Sequence, residues 1–239
     1  MFAWVVGLGA LLLFQVQLVL GKQLLPWFGG ASAVWTTCLL FFQAALLAGY
    51  AWAHVLADRL SPRRQRNAHL ALIAAALGQL LWRAFAWPSP ITPGDWAKPG
   101  SPDAPIAALL ALLASTIGLP FVVLAATSPL LQAWFARLRP GQSPFWLFAL
   151  SNGGSLLGLS SYPLLVEPLL SVKMQGWLWS VAFAVYAAGV AWCGVVTPRG
   201  SIRVGRRGGA EVPRDDTAAT VPRNDKLLWL GLAFFPSVM

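Results

Sequence analysis

The chain is poor in charged residues and in the residue types that build metal and disulfide sites. Asp, Glu, Lys and Arg make up 10% of its 239 residues, and it has two cysteines and two histidines. Soluble domains contain about a quarter charged residues, so this composition is not typical of them. The sequence has no metal-ligand spacing, no C-x-x-C pair, no phosphate-binding loop and no nucleophile elbow. It therefore predicts no catalytic residues, no metal and no cofactor for this chain.

Long apolar stretches take the place of these features. A run of about 18 or more mostly apolar residues is a candidate membrane-spanning helix, because about 20 residues at ~1.5 Å each cross a ~30 Å hydrocarbon core. The six long stretches are Phe2 to Gly21, Ser32 to Leu56, His69 to Trp87, Ile106 to Leu131, Pro144 to Leu169 and Gly176 to Val196. The sequence therefore predicts an all-α, polytopic transmembrane helix bundle with six full spans.

The remaining C-terminal residues divide into two parts. Residues 197–226 are polar, basic and glycine-containing without apolar periodicity, which predicts a flexible cytoplasmic linker. A further apolar stretch begins at Leu227 and reaches Met239 after 13 residues, which are too few to span a membrane. We expect residues 1–196 to form the six-helix bundle and residues 227–239 to start a truncated seventh transmembrane helix, so that the chain is a fragment of a longer protein.

Basic residues collect in alternate gaps between the apolar stretches. The gaps after the second, fourth and sixth stretches hold 13 of the 17 Lys and Arg residues, whereas the other gaps hold Lys22, Lys98 and Lys173. The positive-inside rule then places the N-terminus in the cytoplasm. The expected location is the bacterial inner (plasma) membrane, with the lipid bilayer as partner. A net charge of +9 spread over gaps, rather than gathered on one folded face, predicts no nucleic-acid partner.

The fifth stretch carries the most informative pattern, Ser151-Asn152-Gly153-Gly154-Ser155-Leu156-Leu157-Gly158. Gly154 and Gly158 are four residues apart, a spacing that lets two helices approach closely in lipid. Asn152 is a polar amide within this apolar stretch and is expected to bond to another helix. One interpretation is tight packing against the first or the fourth stretch, with one interhelical hydrogen bond. The alternative is that the glycine strip lines a cavity in which Asn152 contacts a ligand.

Other polar residues are candidates either for a polar cavity or for packing. Gln15 and Gln17 are two residues apart, so they face different directions on a helix. Glu167 lies at the end of the fifth stretch, on the same predicted side as Lys22, and the two are expected to form an ion pair at the outer face. Arg83 is expected to extend to the lipid headgroups from the outer side of the third stretch.

Three further expectations concern the interior of the bundle. Pro120 removes a backbone donor from the fourth stretch and predicts a kink, which is tolerated where a neighbour satisfies the freed carbonyl. Cys38 and Cys193 lie toward opposite sides of the membrane, beyond disulfide reach, and are expected to be small core residues. Gly7-Leu8-Gly9 lacks the remaining glycine of a dinucleotide-binding fingerprint, so it predicts helix packing.

A series of motifs runs from the end of the first stretch to the end of the fifth. They are Pro26-Trp27-Phe28-Gly29-Gly30, Val34-Trp35-Thr36-Thr37, Gly49-Tyr50-Ala51-Trp52-Ala53-His54, Ser128-Pro129-Leu130-Leu131-Gln132-Ala133-Trp134-Phe135, Ala149-Leu150-Ser151-Asn152, Tyr162-Pro163 and Val166-Glu167-Pro168. In order and spacing they resemble the membrane region of bacterial spermidine synthase-like proteins, which are major facilitator/aminopropyltransferase fusions. The chain is therefore expected to be the integral membrane domain of such a fusion.

The resemblance implies that the full-length protein also has a soluble domain with a nucleotide-type fold. That domain would carry a glycine-rich loop and acidic residues for decarboxylated S-adenosylmethionine and a polyamine. Because none of these features lies in this chain, the aminopropyltransferase activity cannot be assigned to any residue here. The resemblance also implies a polyamine or another small cationic solute as a partner, with the membrane region either anchoring the enzyme or passing that substrate to it.

A second resemblance gives an alternative function. The segment Asp58-Arg59-Leu60-Ser61-Pro62-Arg63-Arg64 is similar to the cytoplasmic loop motif of major facilitator transporters, which also use six-helix halves. The glycine that normally lies close to the Asp-Arg pair is missing, and an ordinary cluster of cytoplasmic basic residues also explains the segment. The alternative is therefore a major facilitator-like transporter of a small solute.

Overall fold

The structure, a computed structural model, describes residues 1–94, 98, 105–138 and 145–196. Within these residues the chain is helical apart from short turns and forms no β-strand, as expected for an all-α bundle. The α-helices are α1 (Phe2–Phe28), α2 (Ser32–Arg59), α3 (Pro62–Ala86), α4 (Pro105–Leu113), α5 (Leu119–Leu138), α6 (Phe145–Ser161), α7 (Glu167–Leu169) and α8 (Val172–Val196). Two π-helical segments, Ala114–Gly118 and Tyr162–Val166, join α4 to α5 and α6 to α7. The predicted linker and seventh helix lie outside the described residues.

Five helical stretches in the described part of the chain are long and apolar enough to cross a membrane. They are α1, α2, α3, the continuous path Ile106–Leu138 through α4 and α5, and α8. The fifth apolar stretch of the sequence differs from these, because α6 ends after 17 residues and a π-helical segment follows. The chain nevertheless stays helical from Phe145 to Leu169.

Local sequence explains where the helices end. Gly29 follows α1 with φ of 76°, a left-handed conformation that glycine adopts without steric cost. α3 begins at Pro62, well before the apolar stretch at His69, because proline fits the first position of a helix, where no backbone donor is needed. The short turns after α1 and α2 make the first three helices alternate in direction. Met1 and Arg59 therefore lie at one end of the bundle, and Phe28 and Ala86 at the other.

α1 lies at the centre of the packing, in contact with α5, α6 and α8, while α2 packs mainly on α5. Large aromatic side chains of α8 fill the space beside α1. The rings of Trp179 and Phe183 stack with centroids 5.4 Å apart, and both side chains are buried. The Trp179 indole nitrogen Nε1 donates to the Leu12 carbonyl at 2.9 Å, so this buried donor is satisfied.

Apolar side chains also cover the outside of the bundle. Phe85, Trp82 and Leu169 are 85%, 76% and 73% exposed, and exposed Leu, Val or Trp side chains occur on most of the long helices. Soluble monomers rarely expose large contiguous apolar patches. A surface of this kind is typical of a protein that faces lipid.

α6 packs on α1 through the predicted glycine strip. Gly154 and Gly158 are buried, and a Cβ atom built on Gly158 would lie only 2.7 Å from the Leu11 carbonyl oxygen. A Cβ on Gly154 would overlap the carbonyl oxygen of Gly7. The expected close approach to the first helix is confirmed. Backbone contact of this kind gains dispersion energy in lipid, where no hydrophobic force draws helices together.

The helix break in the fourth apolar stretch has a specific partner on α3. Pro120 has no N–H, so the carbonyl of Thr116, four residues earlier, lacks its α-helical donor, and the π-helical segment lies at this point. The Arg83 guanidinium donates to that Thr116 carbonyl, and one turn earlier Gln79 Nε2 donates to the Ser115 carbonyl at 2.9 Å. The carbonyl freed by Pro120 is therefore satisfied by a neighbouring helix, as the sequence predicts.

The expected position of the Arg83 side chain is wrong. Arg83 is 8% exposed and does not extend outward, because its guanidinium is held between the Thr116 carbonyl and the Trp87 ring, 4.4 Å from the ring centroid. The expected ion pair at the same end of the bundle is confirmed, since Lys22 Nζ lies 3.0 Å from Glu167 Oε1. Both side chains of that pair are exposed, so it contributes at most about 1 kcal/mol.

Candidate binding cavity

A cavity of about 110 Å³ lies beside α1, in the half of the bundle nearest Met1 and Arg59. Its lining residues are Val5, Val6, Gly9, Ala10, Leu13 and Phe14 of α1, Leu46 and Tyr50 of α2, Leu124, Ala125, Thr127, Ser128 and Leu131 of α5, Ser151 and Ser155 of α6, and Tyr186 of α8. We call this space the α1 cavity. A space of this size holds several water molecules or a solute of roughly four non-hydrogen atoms, since benzene fills a cavity of ~150 Å³.

The Tyr186 ring reaches the α1 cavity because α1 carries a glycine opposite it. A Cβ atom on Gly9 would lie 2.8 Å from Tyr186 Cε2, so any larger residue would displace the ring. The Gly7-Leu8-Gly9 segment thus serves helix packing, as the sequence predicts. Tyr186 is 1% exposed, and its hydroxyl has no hydrogen-bond partner among the described residues.

Thr127 and His69 form a polar pair next to this hydroxyl. Thr127 Oγ1 donates to the Val123 carbonyl at 2.6 Å, and it lies 2.9 Å from His69 Nε2. Because the single Thr127 proton is used on Val123, the histidine must donate from Nε2, which leaves Nδ1 as a bare acceptor. His69 is fully buried, and Nδ1 has no partner among the residues that the structure describes.

Three serines of α5 and α6 also line the α1 cavity. Ser151 and Ser155 flank the glycine strip of α6, and Ser155 Oγ donates to the Ser151 carbonyl of the same helix at 3.0 Å. Ser128 on α5 accepts a bond from Gln132 Nε2 at 3.4 Å. The lining contains no Asp, Glu, Lys or Arg side chain. The α1 cavity is therefore mainly apolar, with several hydroxyl-bearing residues and no charged side chain.

One edge of the α1 cavity reaches the surface of the bundle. Tyr50 of α2 lines the cavity with a side chain that is 51% exposed. The α1 cavity therefore extends to an exposed residue of α2.

The six residues proposed from sequence for a polar cavity or for packing do not line the α1 cavity. Gly154 and Gly158 pack against α1, and Glu167 pairs with Lys22 at the surface. Gln17 Nε2 donates to the Leu13 carbonyl of its own helix at 3.2 Å, and Gln15 is half-buried without a hydrogen bond among the described residues.

Asn152 is the clearest departure from expectation. Its side chain is exposed on α6, and it forms no hydrogen bond to another helix within the described part of the chain. Two residues correspond to a rotation of about 200° around a helix, so Asn152 points away from α1 when Gly154 faces it. The expected interhelical bond is therefore absent among the described residues, and Asn152 does not line the α1 cavity.

Several residues that line the site carry no signal in the sequence. Tyr186 carries no sequence signal, since one tyrosine in an apolar helix is ordinary. His69 and Thr127 lie 58 residues apart, and nothing in the sequence pairs them. The two serines were visible as neighbours of the glycine strip, which indicates their side of α6 but not the space in front of them.

The fold and the site together define an all-helical protein with several helices of membrane-spanning character around a small cavity that has hydroxyl-bearing residues and no charged side chain in its lining. Comparison with protein-family models, with curated proteins and with solved structures gives no match. The described residues also contain no group of three or more His, Cys, Asp or Glu side chains able to hold a metal ion.

Proposed function

We propose that this chain is the membrane-embedded region of a bacterial spermidine synthase-like fusion protein, and that it spans the inner membrane six times from a cytoplasmic N-terminus. Five of the six spans correspond to helices of sufficient length and apolar character. The remaining span is the helical path from Phe145 to Leu169, which is roughly 35 Å long at about 1.5 Å per residue. That length is enough to cross a ~30 Å hydrocarbon core.

The observation that carries this proposal is the meeting of three separate sequence motifs at one place. Tyr50 comes from the motif Gly49–His54, Ser128 from Ser128–Phe135, and Ser151 from Ala149–Asn152, and all three line the α1 cavity. Motifs that are spread over about 100 residues and converge on one cavity are expected of a common ancestral site, whereas chance similarities have no reason to converge.

Within this function, the structure favours an anchoring role over the passage of a polyamine. A polyamine carries several positive charges at neutral pH and needs opposite charges to replace its hydration. The α1 cavity has no carboxylate, and Glu167 at the opposite end is already paired with Lys22. The membrane region would therefore hold a soluble aminopropyltransferase domain at the inner face of the bilayer.

The sequence of the gene beyond Met239 tests this proposal. A downstream strand–helix domain with a glycine-rich loop and acidic residues is the expected result. Another six apolar helices without a soluble domain would contradict it and would support the transporter alternative. Labelling of a cysteine placed at Lys98 tests the orientation separately, since that position should react from outside the cell and a cytoplasmic location would overturn the six-span arrangement.

The transporter alternative has one structural observation in its favour. A membrane-embedded cavity with an unsatisfied polar group is a feature that solute carriers share. Uptake of radiolabelled putrescine and spermidine by cells expressing the chain tests whether this region carries a polyamine. We expect no uptake above that of cells carrying an empty vector.

A further inference from the structure

We propose that the α1 cavity is a binding site for a small uncharged molecule that carries both a hydrogen-bond donor and an acceptor, of the amide or alcohol class, with the Tyr186 hydroxyl as its principal contact. The site would take such a ligand whether the chain anchors an enzyme or transports a solute.

The Tyr186 hydroxyl lacks a hydrogen-bond partner among the described residues. Tyr186 lines the α1 cavity, and its hydroxyl is buried. A buried polar group without a partner is costly, and the great majority of such groups in folded proteins are satisfied by protein or by a bound molecule. A molecule bound in the cavity would supply the hydrogen-bond partner that the hydroxyl lacks.

The neighbouring Thr127 does not satisfy the Tyr186 hydroxyl in the observed geometry, although its oxygen keeps one lone pair beyond its bonds to Val123 and His69. Its proton is committed to the Val123 carbonyl, and its oxygen accepts from His69 Nε2. These two bonds fix the rotamer of Thr127 for its own helix and for α3. Although Thr127 lies beside Tyr186 on the cavity wall, the Tyr186 hydroxyl still forms no hydrogen bond of normal geometry.

The absence of charged side chains from the cavity lining favours an uncharged ligand. No side chain with a formal charge lines the cavity, so a cation or an anion would lose its hydration without gaining an opposite charge. An uncharged molecule avoids this cost. Among the lining serines, the Ser155 proton is used on the Ser151 carbonyl, so Ser155 can only accept, whereas the Ser151 hydroxyl can both donate and accept. This combination suits an amide or an alcohol.

The volume of the cavity limits the size of the ligand. A volume of about 110 Å³ corresponds to roughly four non-hydrogen atoms, by comparison with benzene in a ~150 Å³ cavity. Acetamide has this size, and acetate and the acetamidinium ion have nearly the same shape with opposite charges. These three molecules therefore separate the effect of charge from the effect of size.

Saturation-transfer difference NMR tests the proposal on the purified full chain in nanodiscs of phosphatidylcholine and phosphatidylglycerol. The probes are acetamide, acetate and acetamidinium, each observed through its methyl signal. The expected result is a transfer signal for acetamide that is several-fold larger than for either ion. Similar signals for all three probes, or none above empty nanodiscs, would overturn the proposal.

Matched variants show whether the signal comes from this cavity. Tyr186→Phe keeps the ring and removes only the hydroxyl, so the acetamide signal should fall to the level of empty nanodiscs. Tyr162→Phe removes a hydroxyl outside the cavity, one that donates to Gln175 Oε1 at 3.2 Å, and should leave the signal unchanged. Ser155→Leu, which fills the cavity from α6, should abolish the signal by a second route. An acetamide signal that persists in both Tyr186→Phe and Ser155→Leu would place binding elsewhere.

Discussion

Gly7 and Gly9 lie two residues apart on α1 and meet different surroundings. The backbone of Gly7 touches Gly154 of α6 so closely that no side chain fits between them. Gly9 faces the hydroxyl end of the Tyr186 ring, and both residues line the α1 cavity. Gly7 therefore allows close backbone packing on one face of α1, whereas Gly9 leaves space for the Tyr186 ring on a different face. The partner, and not the glycine itself, decides between tight packing and a cavity.

The largest expected effect is at the closed contact. Gly154→Ala places a methyl group against the Gly7 carbonyl, which moves only if a whole helix moves, so we expect a loss of about 1–3 kcal/mol of unfolding free energy. Gly158→Leu should cost at least as much, because its side chain meets the Leu11 carbonyl. Unfolding in detergent micelles, followed by tryptophan fluorescence, measures both losses.

Gly153→Ala is the control for the closed contact. A Cβ atom at this neighbouring position meets nothing within 4 Å. Its substitution should be neutral or stabilising by up to about 1 kcal/mol, because alanine favours the helix. Equal losses for Gly153→Ala and Gly154→Ala would show that α6 does not pack on α1 in this orientation.

A smaller loss is expected where α1 faces the cavity. Gly9→Ala brings a methyl group to 2.8 Å from the edge of the Tyr186 ring, but the ring can shift into empty space. We expect a cost below about 1 kcal/mol, less than for overpacking against backbone. The same variant should weaken the acetamide signal, because the displaced ring reduces the cavity. A loss as large as that of Gly154→Ala would indicate that no space lies behind the ring.

Two buried tyrosines, Tyr186 and Tyr162, differ in whether the hydroxyl has a hydrogen-bond partner among the described residues. Tyr186→Phe removes a hydroxyl without a partner, so the ligand-free protein should be unchanged or more stable by up to about 1 kcal/mol. Tyr162→Phe breaks the bond to Gln175 and should cost about 0.5–1.5 kcal/mol. The two variants have the same chemistry, so a loss in both would mean that Tyr186 has a protein partner.

The smallest effect is expected at Asn152. Because its side chain is exposed and forms no interhelical bond among the described residues, Asn152→Leu should not destabilise the protein. A loss of more than about 1 kcal/mol would instead show that the amide bonds to another helix, at the upper range of such bonds in membranes. Detergent unfolding beside Gly153→Ala, which lies next to it, provides the reference.

Local sequence rules predicted much of the fold. The length of the apolar stretches predicted the long helices, and the spacing of Gly154 and Gly158 predicted the contact with α1. Pro120 predicted a freed carbonyl that a neighbouring helix satisfies. Each of these depends on residues close together in the chain. The pairing of Lys22 with Glu167 also followed, because alternating helices bring both residues to the same end of the bundle.

The α1 cavity could not be predicted in the same way. In an apolar bundle nearly every face of a helix is hydrophobic, so periodicity does not distinguish a face that meets lipid from one that meets another helix. Because of that ambiguity, the prediction placed the Asn152 side chain inside the bundle and the Arg83 side chain outside it. The structure shows the opposite for both residues. Tyr186, Thr127 and His69 come from three helices, and only the packing of α8 and α3 against the α1–α5 pair brings them together.

Thiol labelling along α6 tests the central claim most directly, which is that α1 separates a dry glycine contact from a hydroxyl-lined cavity. Single cysteines at Ser155 and Leu156 are compared in a background of Cys38→Ala and Cys193→Ala, in native membranes treated with methyl methanethiosulfonate. Only the thiolate reacts, and it forms in a hydroxyl-lined cavity but not in lipid. The account predicts labelling at Ser155 at least about tenfold faster than at Leu156, which is 65% exposed on the outer surface. Equal rates at the two positions would contradict it.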